Sequence, residues 1–177
     1  MTGSATFDGQ IGEGWSGTDP DGAHVNLVLA ERGSPTHATL LGTLTTPTPG
    51  HTPILVVVGE DKDHYEPVWP PTIMMNKATA LEERHQTITW GAGQLGIAQG
   101  VLDAVAGDLI PCSGDLLVFI AIYIDPAADD ETAVRLAARA ATLKAVRVAS
   151  QGRDQGAARA LVERRDSVTS PFYGGEP

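Results

Sequence analysis

The alternation of apolar and polar residues along the chain sets out a short series of strands and helices. Residues 23–30 (AHVNLVLA) place Val25, Leu27 and Leu29 on one side, with His24 and Asn26 on the other. That is the period-two pattern of a half-buried strand. Residues 54–58, an apolar run rich in β-branched side chains, predict a buried strand, and residues 71–79 (PTIMMNKAT) predict another. On the latter, Met75, Lys77 and Thr79 share a face, opposite Asn76 and Ala78. Residues 116–124 are apolar throughout and predict a fully buried strand. Ser34 as N-cap, with Pro35 at the first helical position, opens a helix over residues 34–44. Residues 81–107 read as mostly helical, with Gly91, Gly93, Gly96 and Gly100 loosening the middle. Asp129 and Asp130 cap a helix running to Ser150, in which Glu131 and Arg135 stand at a favourable i,i+4 spacing. A last helix covers residues 155–165. Gly and Pro cluster at 14–22, 46–53, 66–71 and 107–114, which predicts turns there, and again from Pro171. Strands interleaved with helices predict an α/β or α+β two-layer sandwich. Residues 1–177 read as a single domain, with 171–177 as a flexible tail.

Composition narrows the function classes. The chain has 177 residues, of which 42% are apolar and 19% charged, enough to bury roughly 70% of its unfolded surface without a staple. The one cysteine, Cys112, excludes a disulfide framework and a cysteine-based zinc site. Twelve basic residues against 22 acidic ones give a net charge of -10. That balance disfavours nucleic acid and anionic membrane surfaces as partners. The N-terminus has no basic region followed by an apolar run, so it does not read as a signal peptide. The longest apolar run falls far short of the ~20 residues that span a bilayer. A soluble, cytoplasmic protein is expected.

The charge is uneven. Up to Glu131 there are 18 acids and four bases; from Thr132 onward there are four acids and eight bases. An oligomer could set one subunit's basic tail helix against a neighbour's acidic face, or the helix could simply be solvated. Lys77 is almost the only cation in the middle of the acidic region, so an anionic ligand bound there would depend on it.

Three constellations could carry chemistry. Gly91-Ala-Gly93-Gln-Leu-Gly96 matches the dinucleotide pattern G-x-G-x-x-G, with residues 86–90 as the preceding strand and Asp125 ending the next one. The alternative is a glycine-softened helix packed closely on a sheet. The histidines (His24, His37, His51, His64, His85) include no i,i+4 pair and no HExxH, so no metal site is expected. His24 stands apart, sharing a strand face with Asn26 beside the glycine- and aspartate-rich loop 17–22, where an imidazole can reach a cleft. Lys77 and Thr79 together could hold an anionic or carbonyl-rich ligand, or form a solvated face.

In order along the chain, Ala23-His24-Val25-Asn26-Leu27, Arg32-Gly33-Ser34-Pro35, Met75-Asn76-Lys77-Ala78-Thr79, Gln94, Gly96, Asp103-Ala104-Val105-Ala106, Ile110-Pro111, Ala127-Ala128-Asp129-Asp130 and Pro171-Phe172 resemble the formaldehyde-activating enzymes. Those enzymes join formaldehyde to tetrahydromethanopterin, a reduced pterin that serves as co-substrate. The resemblance runs from about Gly12 to Phe172. It implies a two-layer α/β sandwich with a left-handed βαβ crossover, like a ribosomal-protein domain, and a ring-shaped homopentamer with active sites between subunits. His24 falls on the family's catalytic histidine. Asn26, Leu55, Lys77, Thr79 and Gln94 fall on substrate-binding positions, with Leu55 against the pterin ring system and Lys77, Thr79 and Gln94 at its polar edge. In the implied reaction a pterin amine adds to formaldehyde, and the resulting carbinolamine must lose water. Hydroxide leaves poorly, so imidazolium is suited to be the proton donor, and a second ring nitrogen closes the methylene bridge.

The chain departs from the family pattern near this site. Asn26 stands where aspartate is typical, and Pro49, Leu95 and Ser170 stand where histidines are. An acidic, Trp-containing loop over residues 59–69 is a few residues longer. Two other readings therefore stand beside the lyase: a non-catalytic protein that binds or senses a pterin or aldehyde adduct, and a nucleotide-binding oxidoreductase.

Overall fold

A computed structural model describes residues 6–170; the tail expected over 171–177, with Pro171 and Phe172, lies outside the described residues. The chain is a mixed α/β structure. Five strands form one sheet in the order β1-β2-β7-β6-β3: β1 (Ile11–Ser16), β2 (Ala23–Glu31), β7 (Leu116–Ile124), β6 (Thr72–Asn76) and β3 (Ile54–Leu55). β1–β2, β2–β7 and β3–β6 pair antiparallel, and β6–β7 parallel. A parallel pair needs a crossover. Here it is α2 (Glu83–Thr87), a wider-wound turn over Ile88–Gly93, and α3 (Gln94–Ala106). β4 (Val57–Gly59) and β5 (Tyr65–Pro67) make a separate two-stranded ribbon. The remaining helices are α1 (Pro35–Gly42), α4 (Glu131–Gln151) and α5 (Gln155–Glu163).

The core lies between the sheet and the layer of α3 and α4. Val25, Leu27, Leu29, Met74, Val118, Ile120, Ile122 and Ile124 point into it, and fully burying each such side chain contributes about 1.5–3 kcal/mol. α4 meets them with Val134, Ala137, Ala138, Ala141, Ala145, Val146 and Ala149, the i, i+3, i+4 stripe of a helix with one apolar face. Its alanines keep the helix low over the sheet. Any Cβ added at Gly12 or Gly14 of β1 would collide with the backbone of Ala145 or Ala141. The sequence pattern does not show β1 for this reason: Gly14 reads as the start of the 14–22 turn, whereas Gly12 and Gly14 are the contact that seats α4.

Other expectations need correction. Residues 54–58 are not one strand. At buried Val56 the chain leaves the main sheet, donating to Thr72 O (2.8 Å) and accepting from Val68 N (3.0 Å), and then enters the ribbon. β5 falls partly within the turn expected over 66–71. Residues 86–93 are helical, so the strand needed before a dinucleotide turn does not form. The glycines there serve packing: Gly93 sits on Ile122 and Ile124, while Gly96 and Gly100 sit on the α4 backbone at Arg135 and Arg139. Glu131 pairs with Arg84 (2.6 Å), while Arg135 reaches Gln99 (2.8 Å), so their i,i+4 spacing is not used between them. The caps hold as expected: Ser34 accepts from His37 N, and Asp130 from the amides of Thr132 and Ala133.

The far face of the sheet decides where a site can be. α1 covers only one end of it, where Leu40 packs on Ala30, Ile73 and Leu117. The other end carries no helix. β7 is accordingly not buried on both faces: Phe119, Ala121 and Tyr123 are half-buried on the uncovered side.

Candidate functional site

Two rows of side chains cross the uncovered end of the sheet. Paired residues on neighbouring strands share a face, so Glu13, Asn26, Ala121 and Met75 line up across β1, β2, β7 and β6. One step along, Trp15 pairs with His24 and His24 with Tyr123. Lys77, just past β6, follows in that row, its N–H donating to Ile122 O (2.7 Å). Ala121, between Asn26 and Met75, has only a methyl side chain, so the Lys77 side chain can lie across β7.

What it reaches is the β2 pair. Lys77 Nζ is 2.7 Å from His24 Nδ1 and donates to Asn26 Oδ1 at 2.8 Å. On the other side of the ring, His24 Nε2 is 2.8 Å from Glu13 Oε1. A carboxylate only accepts, so Nε2 carries a hydrogen. The Nδ1 contact then has two forms that differ only in which nitrogen holds the shared proton: ammonium beside imidazole, or amine beside imidazolium. Burial pushes Lys77 down from 10.5 to about 8, and the Glu13 charge partly opposes it. The free amine is therefore accessible near neutral pH. The Trp15 ring tilts against His24 at 6.3 Å between centroids and fixes the imidazole's outer side. Burial, then the neighbouring Asp125 carboxylate, raises Tyr123 above the usual phenol range, so it stays protonated on the floor. A cleft of about 480 Å³ wraps the outer edge of β1, lined in part by Ile11, Glu13, Asn26, Val28, Val148 and Arg153.

The sequence-expected residues divide into groups. His24, Asn26 and Lys77 come together. Leu55 pairs with Ile73 and so lies on the same face, but at the far strand, 39% exposed. Thr79 is past β6 and does not continue the Met75–Lys77 face. Its hydroxyl is 3.1 Å from His51 Nε2, while His51 Nδ1 donates to Asn76 O (3.0 Å). Gln94 opens α3 in the helical layer, across the sheet from His24. Within the chain, Gln94 and Lys77 therefore lie in different layers. Glu13 and His51 were not singled out from sequence. A signal for Glu13 did exist, since it alternates with Gly12 and Gly14, but those glycines masked the strand. Among the described residues, no three His, Cys, Asp or Glu side chains converge to hold a metal ion, and no helix is long and apolar enough to cross a membrane.

The profile of a family described as formaldehyde-activating enzyme (Fae) matches residues 11–173. A protein of Methanosarcina barkeri named 5,6,7,8-tetrahydromethanopterin hydro-lyase is 29% identical over 164 residues, 92% of this chain and 89% of that protein. Proteins named bifunctional enzyme Fae/Hps, from Methanothrix thermoacetophila and Methanosarcina acetivorans, are 28% and 30% identical over 80% and 81% of this chain. The matched segment spans 36% of each of them.

Proposed function

The chain belongs to the formaldehyde-activating enzyme family, and from that premise we propose that it condenses formaldehyde, or a related small aldehyde, with a reduced pterin such as tetrahydromethanopterin, giving the methylene adduct and water. The observation that carries this reading is the hydrogen-bonded series Glu13–His24–Lys77–Asn26 at the uncovered end of the sheet. It sets a titratable imidazole between a proton source and a carboxylate. In the condensation, a pterin amine adds to the aldehyde carbon, and the carbinolamine oxygen must leave as water. His24 is the general acid for that departure, resupplied by Lys77, and Glu13 stabilises the ring while it is charged.

Asn26, Lys77, Thr79, Gln94 and Leu55 hold the pterin. Gln94 and Lys77 stand in different layers of one protomer, and Leu55 is an exposed leucine on the open face, so the complete pocket is built between subunits. This supports sites at subunit interfaces; the number five, a homopentamer, comes from the family resemblance alone. A single-domain chain, a left-handed hand for the β6–β7 crossover, the ribosomal-domain likeness and a cytoplasmic setting belong to the same reading.

The test is direct. Purified protein, formaldehyde and tetrahydromethanopterin should form the methylene adduct faster than the spontaneous reaction. His24→Ala should lose about 10²–10⁴-fold of that acceleration, the usual share of a general acid. No acceleration, with ligand-dependent thermal stabilisation by the pterin, would replace catalysis with binding.

A further inference from the structure

An ammonium group has three hydrogens to donate, and at Lys77 two are taken: one by His24 Nδ1 and one by Asn26 Oδ1. For the third, no acceptor is found among the described residues. Neither acceptor is an anion, and among the described residues no carboxylate lies within ion-pairing distance of Nζ. Glu13 acts on it only from beyond the imidazole. A lysine meant as a fixed cation is normally given a counter-ion, whereas one meant as an amine is desolvated among neutral partners. The groups facing Nζ are of the second kind: His24 and Asn26 from β2, Tyr123 and Ala121 from β7, with Glu13 behind on β1.

From this arrangement we infer that Lys77 is itself a nucleophile, capturing the small aldehyde on Nζ as a covalent iminium, with His24 as the station through which its proton passes. The inference rests on the reading above only in taking a small aldehyde as the ligand. Starting from the ammonium, one proton moves along the 2.7 Å contact to Nδ1 and frees the amine lone pair. Nζ bonds to the aldehyde carbon, and the carbonyl π pair moves to oxygen, which takes up a proton from Nζ. The carbon–oxygen bond then breaks, and the proton held on His24 leaves with the hydroxyl as water. For formaldehyde, ammonium plus aldehyde gives iminium plus water, with no other reagent consumed. An acceptor with two amine nitrogens completes the cycle. Its first nitrogen bonds to the methylene carbon, the Nζ–carbon bond breaks, the second nitrogen closes the bridge, and the two N–H hydrogens it gives up restore the ammonium. Asn26 is the residue that permits this, because a carboxylate there would hold the proton on Lys77.

The chain has three lysines, Lys62, Lys77 and Lys144, so the test carries its own reference. The full-length protein is mixed with formaldehyde and no pterin, reduced with borohydride, digested, and its lysines mapped by mass spectrometry. The expected result is methylation of Lys77 tenfold or more above Lys62 at neutral pH, since each unit of depressed pKa gives about ten times more free amine. Lys77 reacting no faster than Lys62 would overturn the inference, even if the pterin reaction is accelerated. Lys77 trapped without pterin turnover would uphold capture and sink the pterin reading instead. Asn26→Asp adds a readout that mere structural support would not move: trapping at Lys77 should fall about tenfold at neutral pH and recover at higher pH. An unchanged pH profile in that variant would remove Asn26 from the scheme.

Discussion

Glu13 on β1 and Lys77 beyond β6 face each other across one imidazole, Oε1 2.8 Å from Nε2 and Nζ 2.7 Å from Nδ1 of His24. Burial lowers Lys77 to about 8, and the Glu13 charge is what keeps it from falling further. Glu13→Gln removes that support. The alkaline limb of the pH–rate profile should therefore move below about 8 in the variant. Profiles of the two proteins, measured side by side, decide it; a limb that stays or rises would break the electrostatic link.

The same depression has a thermodynamic consequence. An unfolded lysine titrates at 10.5, the folded one at about 8. Between those values the unfolded chain binds the extra proton, so stability rises with pH across the window. Below it both states are protonated, and the folded state carries the full cost of the buried charge. Lys77→Met should abolish the slope and raise the neutral-pH melting temperature by roughly 2 °C, the scale of about 1 kcal/mol or less in a chain this long, because the lysine is only half-buried. Thermal melts at several pH values read both effects.

Gly14 is expected to be the least forgiving position on β1. Gly14→Ala inserts a methyl group against the α4 backbone at Ala141 and should cost about 1–3 kcal/mol, the usual range for overpacking. Urea midpoints measure it. Because Glu13 lies between Gly12 and Gly14, the variant should also lose activity at temperatures where it remains folded.

Leu55 separates the one-subunit and many-subunit accounts. It is exposed in the single chain, so Leu55→Glu should leave monomer stability within about 0.5 kcal/mol. If subunits meet there, the variant should sediment as a smaller species and lose pterin turnover together. A variant of unchanged size and activity would place the interface elsewhere.

How much of this could be read from sequence depended on what decides each feature. His24 and Lys77 stood out because strand alternation puts them on the polar side of apolar runs, and their pairing follows once β2, β7 and β6 align. Glu13 was hidden because Gly12 and Gly14 answer to a helix 130 residues later in the chain, and local propensity reads such glycines as a turn. Gln94 was legible as a residue but not as a place, since its layer depends on how the crossover packs. The break at Val56 was equally invisible: five apolar residues in a row look like one strand, and only Thr72 and Val68 show that the chain changes sheets there.

The contact between Lys77 and His24 spans three strands, and it exists in only one alignment of them. A slip of one residue between β2 and β7, or between β6 and β7, would turn the imidazole or the amine toward the helices. Chemical competence thus reports on correct assembly of the sheet. A misaligned molecule would lack the Lys77–His24 contact and with it the path for the proton.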